Sequence, residues 1–171
     1  MRKYLRAGQQ GFSLSELIVV ISIIAILSAI ALPMLMVWYR NASLQVAGRD
    51  LYSTLKLTQA NAARRNQNCA ITFIGGGYAA YVDLNGDFKQ DAGEPLLADH
   101  RWSSYNSVSV AAADISFPDN SANLPTLAFR PNTLPVSASG LPNGSVTLKS
   151  TTGRVLTVSS NISGNITIKR K

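Results

Sequence analysis

A glutamate, Glu16, heads an uncharged apolar run of 22 residues from Leu17 to Trp38, LIVVISIIAILSAIALPMLMVW. A carboxylate beside membrane-length apolar sequence is expensive unless paired, which makes it a functional candidate. A second group lies in the stretch DLNGDFKQDAGE. There Asp83, Asn85, Asp87, Asp91 and Glu94 fall at positions 1, 3, 5, 9 and 12, the oxygen-donor spacing of a calcium loop. The pattern departs from that loop in its glycine, which falls at position 4 (Gly86), leaving Phe88 at the sharp-turn position 6. No incoming helix is evident. The competing reading is a polar hairpin whose Asn-Gly and Asp-x-x-Gly residues make turns and caps.

The third group is basic. The tail Lys169-Arg170-Lys171, joined by Arg154 and by Lys149, Arg64 and Arg65, has the chemistry to hold phosphate backbones without reading sequence. Against it stands a solvated, fraying terminus. Nucleophilic and metal chemistry finds little support. His100 is the one histidine and Cys69 the one cysteine, so no hydrolase triad or zinc cluster can be assembled and no intrachain disulfide can form. His100 is expected as a solvated loop residue, and Cys69 as a small buried residue at a strand edge. The chain is read as a non-enzyme without a cofactor, calcium being the one candidate ion.

These groups need elements to position them. As a helix the apolar run reaches about 33 Å, enough to cross a hydrocarbon core. Arg2, Lys3 and Arg6 precede it, which puts the N-terminus in the cytoplasm and the remainder outside. A secretory signal cut after Ala31 is the rival reading. Glu16 would interrupt its apolar region, however, and the apolar character continues through Met34 to Val37, past the cut. Lys and Arg number 16 against 9 Asp and Glu; without the three basic residues before Glu16 the balance is 13 to 9. The acids concentrate between Asp83 and Asp119.

Leu44, Ala47, Gly48, Leu51, Leu55, Thr58 and Ala62 recur at spacings of three and four, a helical stripe. One helix is therefore expected from Phe12 to about Arg65, bent at Pro33. After Asn66 the pattern becomes short β stretches. Ala70–Ile74 and Tyr78–Asp83 flank Gly75-Gly76-Gly77 as a hairpin, with further strands at Ser107–Val110, Thr126–Phe129, Ser145–Lys149, Val155–Ser159 and Asn165–Lys169. Thr151-Thr152-Gly153 suits another turn, and 118–142 reads as loop. The fold class is α+β: a long N-terminal helix, its first half transmembrane and its second amphipathic, on a C-terminal antiparallel sheet or two small sheets. Four regions follow: 1–11, 12–38, 39–66 and a β-rich head at 67–171.

GFSLSE followed by LIVVISIIAILSAIALP resembles the type III signal of type IV pilins and type II secretion pseudopilins. The resemblance implies that a prepilin peptidase/methyltransferase cuts after Gly11 and methylates the new N-terminal Phe12, leaving 1–11 as a cytoplasmic leader. It implies that Glu16, five residues into the mature chain, is kept for assembly. Pro33 falls at mature position 22, where these proteins often carry a helix-kinking proline; Ser15 replaces the usual large aliphatic residue. A new α-amino group is charged at neutral pH, so Glu16 of one subunit can pair with Phe12 of the next. An unpaired buried charge costs several kcal/mol, so the pair favours one axial register. A glutamate that merely snorkels to the interface remains the alternative before assembly.

The layout of hairpin then acidic loop is similar to the FimT- and GspH-like group of minor pilins and pseudopilins. The lack of a cysteine pair points away from a major pilin. Implied partners are other pilins or pseudopilins through the helix, the prepilin peptidase, and the inner membrane before assembly. The implied location is a single-pass inner-membrane precursor with a periplasmic head, then a pilus or pseudopilus. Some FimT-like members are linked to DNA capture, and a DNA-binding minor pilin is the alternative function. Such proteins often end near a Gly-Arg-hydrophobic-Arg segment, and Gly164-Asn165-Ile166-Thr167 lacks both arginines.

Overall fold

A computed structural model describes residues 12–170. The expectations placed on Gly11, the basic leader and Lys171 lie outside the described residues. The chain divides into two units after Trp38.

The first helix, α1, runs Leu14–Arg65 and is unbroken at Pro33. It begins at Leu14 rather than Phe12 because Ser13 caps it: the Glu16 N–H donates to Ser13 Oγ at 3.2 Å. Ser13-x-x-Glu16 is also the composition of a capping box, and a carboxylate in the first turn complements the helix dipole. The C-terminus closes on Asn66, which takes a left-handed φ of 53°. There the Gln67 N–H reaches back to the Ala62 carbonyl at 3.3 Å.

Within the first unit, 16 large apolar side chains between Leu17 and Trp38 are exposed. At about 1.5 kcal/mol or more for each one left unburied, the deficit exceeds about 20 kcal/mol, more than a domain's typical stability. Such a surface requires cover from lipid or from other chains. The segment is long and apolar enough to cross a membrane.

The second unit, from Tyr39 onward, holds the rest of α1 and two antiparallel sheets. The first sheet has the order β3-β2-β1-β5-β6, with β1 Asn68–Ile74, β2 Gly77–Asp83, β3 Leu96–Arg101, β5 Thr126–Phe129 and β6 Pro135–Val136. The second has the order β4-β7-β8-β9, with β4 Val108–Ser109, β7 Gly144–Ser150, β8 Val155–Ser160 and β9 Ile166–Arg170. The β1–β2 hairpin pairs Ile74 with Gly77, so Gly75-Gly76 make a two-residue turn, with Gly76 at φ 88°.

One core joins these elements. Cys69, Ile71, Phe73, Tyr78, Ala80, Val82, Leu127 and Phe129 form the inner face of the first sheet. They cluster with Val146, Leu148, Leu156 and Val158 of the second and with the helix stripe. Every stripe residue from Leu44 to Ala62 is buried, and Thr54 joins them. Polar latches fix the helix to the head. Gln59 Nε2 donates to the carbonyls of Thr133 and Gly164, both at 3.0 Å, and Thr152 Oγ1 donates to Asn41 Oδ1 at 2.7 Å.

Two strands were not anticipated. β3 covers Leu96–Arg101, and β6 lies inside the expected loop. His100 is therefore not a solvated loop residue. It sits half-buried in β3 with its ring stacked on Tyr78, centroids 5.2 Å apart. Cys69 is fully buried, but in the central strand of its sheet, and burial raises its thiol pKa to about 11.

Candidate functional site

The sequence offered three groups, and the structure treats each differently. In the first unit, Phe12 and Glu16 are both exposed, and Glu16 pairs with no cation among the described residues. The carboxylate is thus held on the first turn of a capped helix, available to a partner.

The acidic loop after β2 is tied mostly to itself. Asp83 is buried, and its two oxygens accept the N–H groups of Gly86 at 2.7 Å and Phe88 at 3.3 Å. Asn85 Oδ1 accepts from Asp87 N, and Asp87 Oδ1 from Lys89 N. Glu94 accepts from Leu84 N and Asp91 N, while Asn85 Nδ2 donates to Asp91 Oδ2 at 2.9 Å. Every one of the five candidate calcium donors is thus engaged by protein N–H groups. No group of three or more His, Cys, Asp or Glu converges as a metal site among the described residues.

Phe88 makes the turn itself. It adopts a φ of 60°, uncommon for a bulky residue. Packing of its ring on the small cluster of Ala70, Tyr81 and Ala128, on the outer face of the first sheet, offsets that strain. Asn120 Nδ2 donates to its carbonyl at 2.8 Å. Burial, the largest influence, raises the Asp83 pKa; the two amides pull it partly back, and Glu94 and Asp87 add to the rise.

The basic residues separate. Lys169 and Arg170 belong to β9, paired with Thr157 and Leu156, so this part of the tail is an ordered edge strand and not a fraying end. Successive side chains of a strand point to opposite faces, so Lys169 and Arg170 do not form one patch. Lys149 is ion-paired with Asp114, whose pKa that contact lowers. Arg64 and Arg65 close α1, more than 20 residues after Asn41, which is about 35 Å along a helix.

Arg154 and Arg170 do come together. Arg170 pairs directly with Leu156 across β8 and β9, and Arg154 stands just ahead of β8, two residues before Leu156, so both border the same groove. With Asn41 and Gln45 of α1 they border a groove of about 410 Å³ that has Leu44 and Leu156 at its base and Val155 at its edge. The two guanidiniums are exposed and make no ion pair among the described residues. Asn41 has its side-chain oxygen committed to Thr152 and keeps its N–H donors. The groove offers donors and positive charge over an apolar floor, the chemistry of an anion site. Sequence reasoning singled out both arginines but not Asn41, because three distant segments supply the walls.

Comparison with known proteins places this architecture. Residues 6–32 match the prokaryotic N-terminal methylation motif. The curated pilin-like protein PilA1 of Thermus thermophilus is 32% identical over 95 residues, 54% of this chain and 60% of that protein. The chain thus spans about 60% of the length of the curated relative it matches. Among solved structures, the type IV minor pilin FimU of Pseudomonas aeruginosa superposes with a TM-score of 0.53 at 17% identity, covering 75% of this chain and 90% of that one. At that identity the likeness is one of fold: a long N-terminal helix packed on antiparallel sheets. Residues 47–164, most of the helix stripe and nearly all of the head, match the model of the type II transport protein GspH, and the chain belongs to that family of minor pilins and pseudopilins.

Proposed function

We propose that this chain is a structural subunit of a type IV pilus or type II secretion pseudopilus. In this reading it is made as a membrane-anchored precursor with its head outside, cut after Gly11, methylated at Phe12, and drawn from the membrane into a filament through α1. The observation that carries the reading is the division of labour along one helix: every large apolar residue from Leu17 to Trp38 is exposed, whereas the stripe from Leu44 to Ala62 is buried in the head. A filament of such helices covers the exposed half without unfolding the head.

Glu16 is the register device in this account. Inside a packed helical core its charge is tolerable only beside the Phe12 amine of a neighbour. The family's role as a structural pilin subunit fits a chain that works by assembly, with other pilins as partners. The DNA-capture reading draws less support, since Lys169 and Arg170 lie on opposite faces of β9 and the positive stripe is broken.

The test is Glu16→Gln, which keeps size and the N-terminal fold while removing the charge. The variant is expected to be processed like wild type and to fall at least tenfold in the filament fraction. Equal incorporation of the variant would overturn the role given to Glu16.

A further inference from the structure

We propose that the groove between Asn41, Arg154 and Arg170 binds the phosphate headgroup of an anionic phospholipid while the subunit is stored in the membrane. The inference rests on the membrane-anchored precursor described above, and goes beyond it by assigning the head its own lipid site.

Three observations point to a lipid. The first is chemistry: two exposed guanidiniums without an ion-pair partner among the described residues, plus the Asn41 N–H donors, match the planar recognition of phosphate that arginine favours. The second is location. Asn41 follows Trp38 by three residues, so even an extended chain holds it within about 11 Å of the end of the apolar run. Trp38 and Tyr39 are residue types that collect at the membrane–water boundary, where headgroups lie. The third is the shape and lining of the site. A groove of about 410 Å³ with Leu44 and Leu156 at its base suits a compact headgroup with an apolar glycerol portion.

A nucleic-acid backbone would instead need a row of cations at phosphate spacing. Here the neighbouring Lys169 faces the other side of β9 and Lys149 is occupied by Asp114. The groove holds the head against the outer leaflet, and extraction into a filament breaks that hold.

The full-length chain in nanodiscs of phosphatidylglycerol and phosphatidylcholine, released into native mass spectrometry, tests this. Wild type is expected to retain phosphatidylglycerol in preference to phosphatidylcholine. Arg154→Gln with Arg170→Gln is expected to reduce that preference by roughly tenfold or more, while Arg101→Gln, an exposed arginine outside the groove, leaves it unchanged. Both groove arginines are exposed, so the double variant should keep the wild-type circular dichroism spectrum. Equal retention of both lipids, or a preference that survives the double variant, would overturn the site. Displacement of the lipid by millimolar inorganic phosphate would show a free-phosphate site instead, and displacement by a short DNA duplex a nucleic-acid site; either also overturns it. A chain that fails to enter the nanodisc contradicts the anchored-subunit reading itself, whereas one that enters without headgroup preference contradicts this inference alone.

Discussion

A Cβ placed on Gly48 would lie 2.5 Å from Cδ2 of Leu156, so the helix meets the second sheet where one residue has no side chain and the other fills the space. Gly48→Ala gains about 1 kcal/mol of helix propensity but must push aside a Leu that is 2% exposed. Overpacking of this kind costs about 1–3 kcal/mol, so net destabilisation is expected. Leu156→Ala alone should cost about 2–5 kcal/mol. The double variant should be more stable than the sum of the two predicts, because each change makes room for the other. Additive losses in denaturant melts of the full chain would show that the two residues do not oppose one another.

Tyr78 is fully buried in the core, and its hydroxyl makes no hydrogen bond of good geometry among the described residues, although the Thr54 and Tyr105 hydroxyls lie beside it. Burial drives its pKa upward, which keeps the hydroxyl neutral. A buried unpaired hydroxyl costs about 1–3 kcal/mol. Tyr78→Phe is therefore expected to leave stability unchanged or raise it by about 1 kcal/mol, with its packing on Trp102 at 5.0 Å retained. A loss above about 1 kcal/mol in a thermal melt would mean that the hydroxyl has a partner in solution.

The raised pKa of Asp83 sets the sign of one pH effect. The folded carboxyl binds its proton at a higher pH than the unfolded one, so its ionisation works against folding. The contribution of this group to stability is greatest below the ordinary carboxylate range and falls as pH rises through the folded value. Asp83→Asn removes that titration, so its stability relative to wild type should improve as pH rises across that range. A difference between the two proteins that is flat with pH would rule out the effect.

Calcium is expected to leave the melting midpoint of the full chain unchanged up to about millimolar, the weak end of calcium-loop affinities. The reason is geometric: Asp83, Asn85, Asp87 and Glu94 accept backbone N–H groups, and Asp91 accepts from Asn85. A midpoint that climbs with calcium, and stops climbing in Glu94→Gln, would show that the loop reopens to hold the ion.

The helix was legible in the sequence because its small and aliphatic residues recur every three to four positions, and the β1–β2 hairpin because Gly75-Gly76-Gly77 reads as a turn between two apolar runs, although Gly77 itself opens β2. β3 was hidden for a physical reason. Asp99, His100 and Arg101 lower its β signal, and as an edge strand it needs only half-burial of alternate residues. β6 carries Pro135, which an edge strand tolerates and a sequence reading takes for loop. Glu16 could be singled out because an acid beside an apolar run is conspicuous alone. The basic groove could not, since Arg154 and Arg170 meet only through the β8–β9 register, and Asn41 lies more than a hundred residues earlier.

The most direct measurement is the mass of the intact N-terminus of the chain recovered from a host with the matching prepilin peptidase. The account expects a mature chain that begins at Phe12 and carries one methyl group on its amine, the amine that Glu16 of a neighbour is to meet. A chain that begins at Leu32 would contradict it, for the apolar run would then be a cleaved secretory signal and Glu16 would never reach a filament.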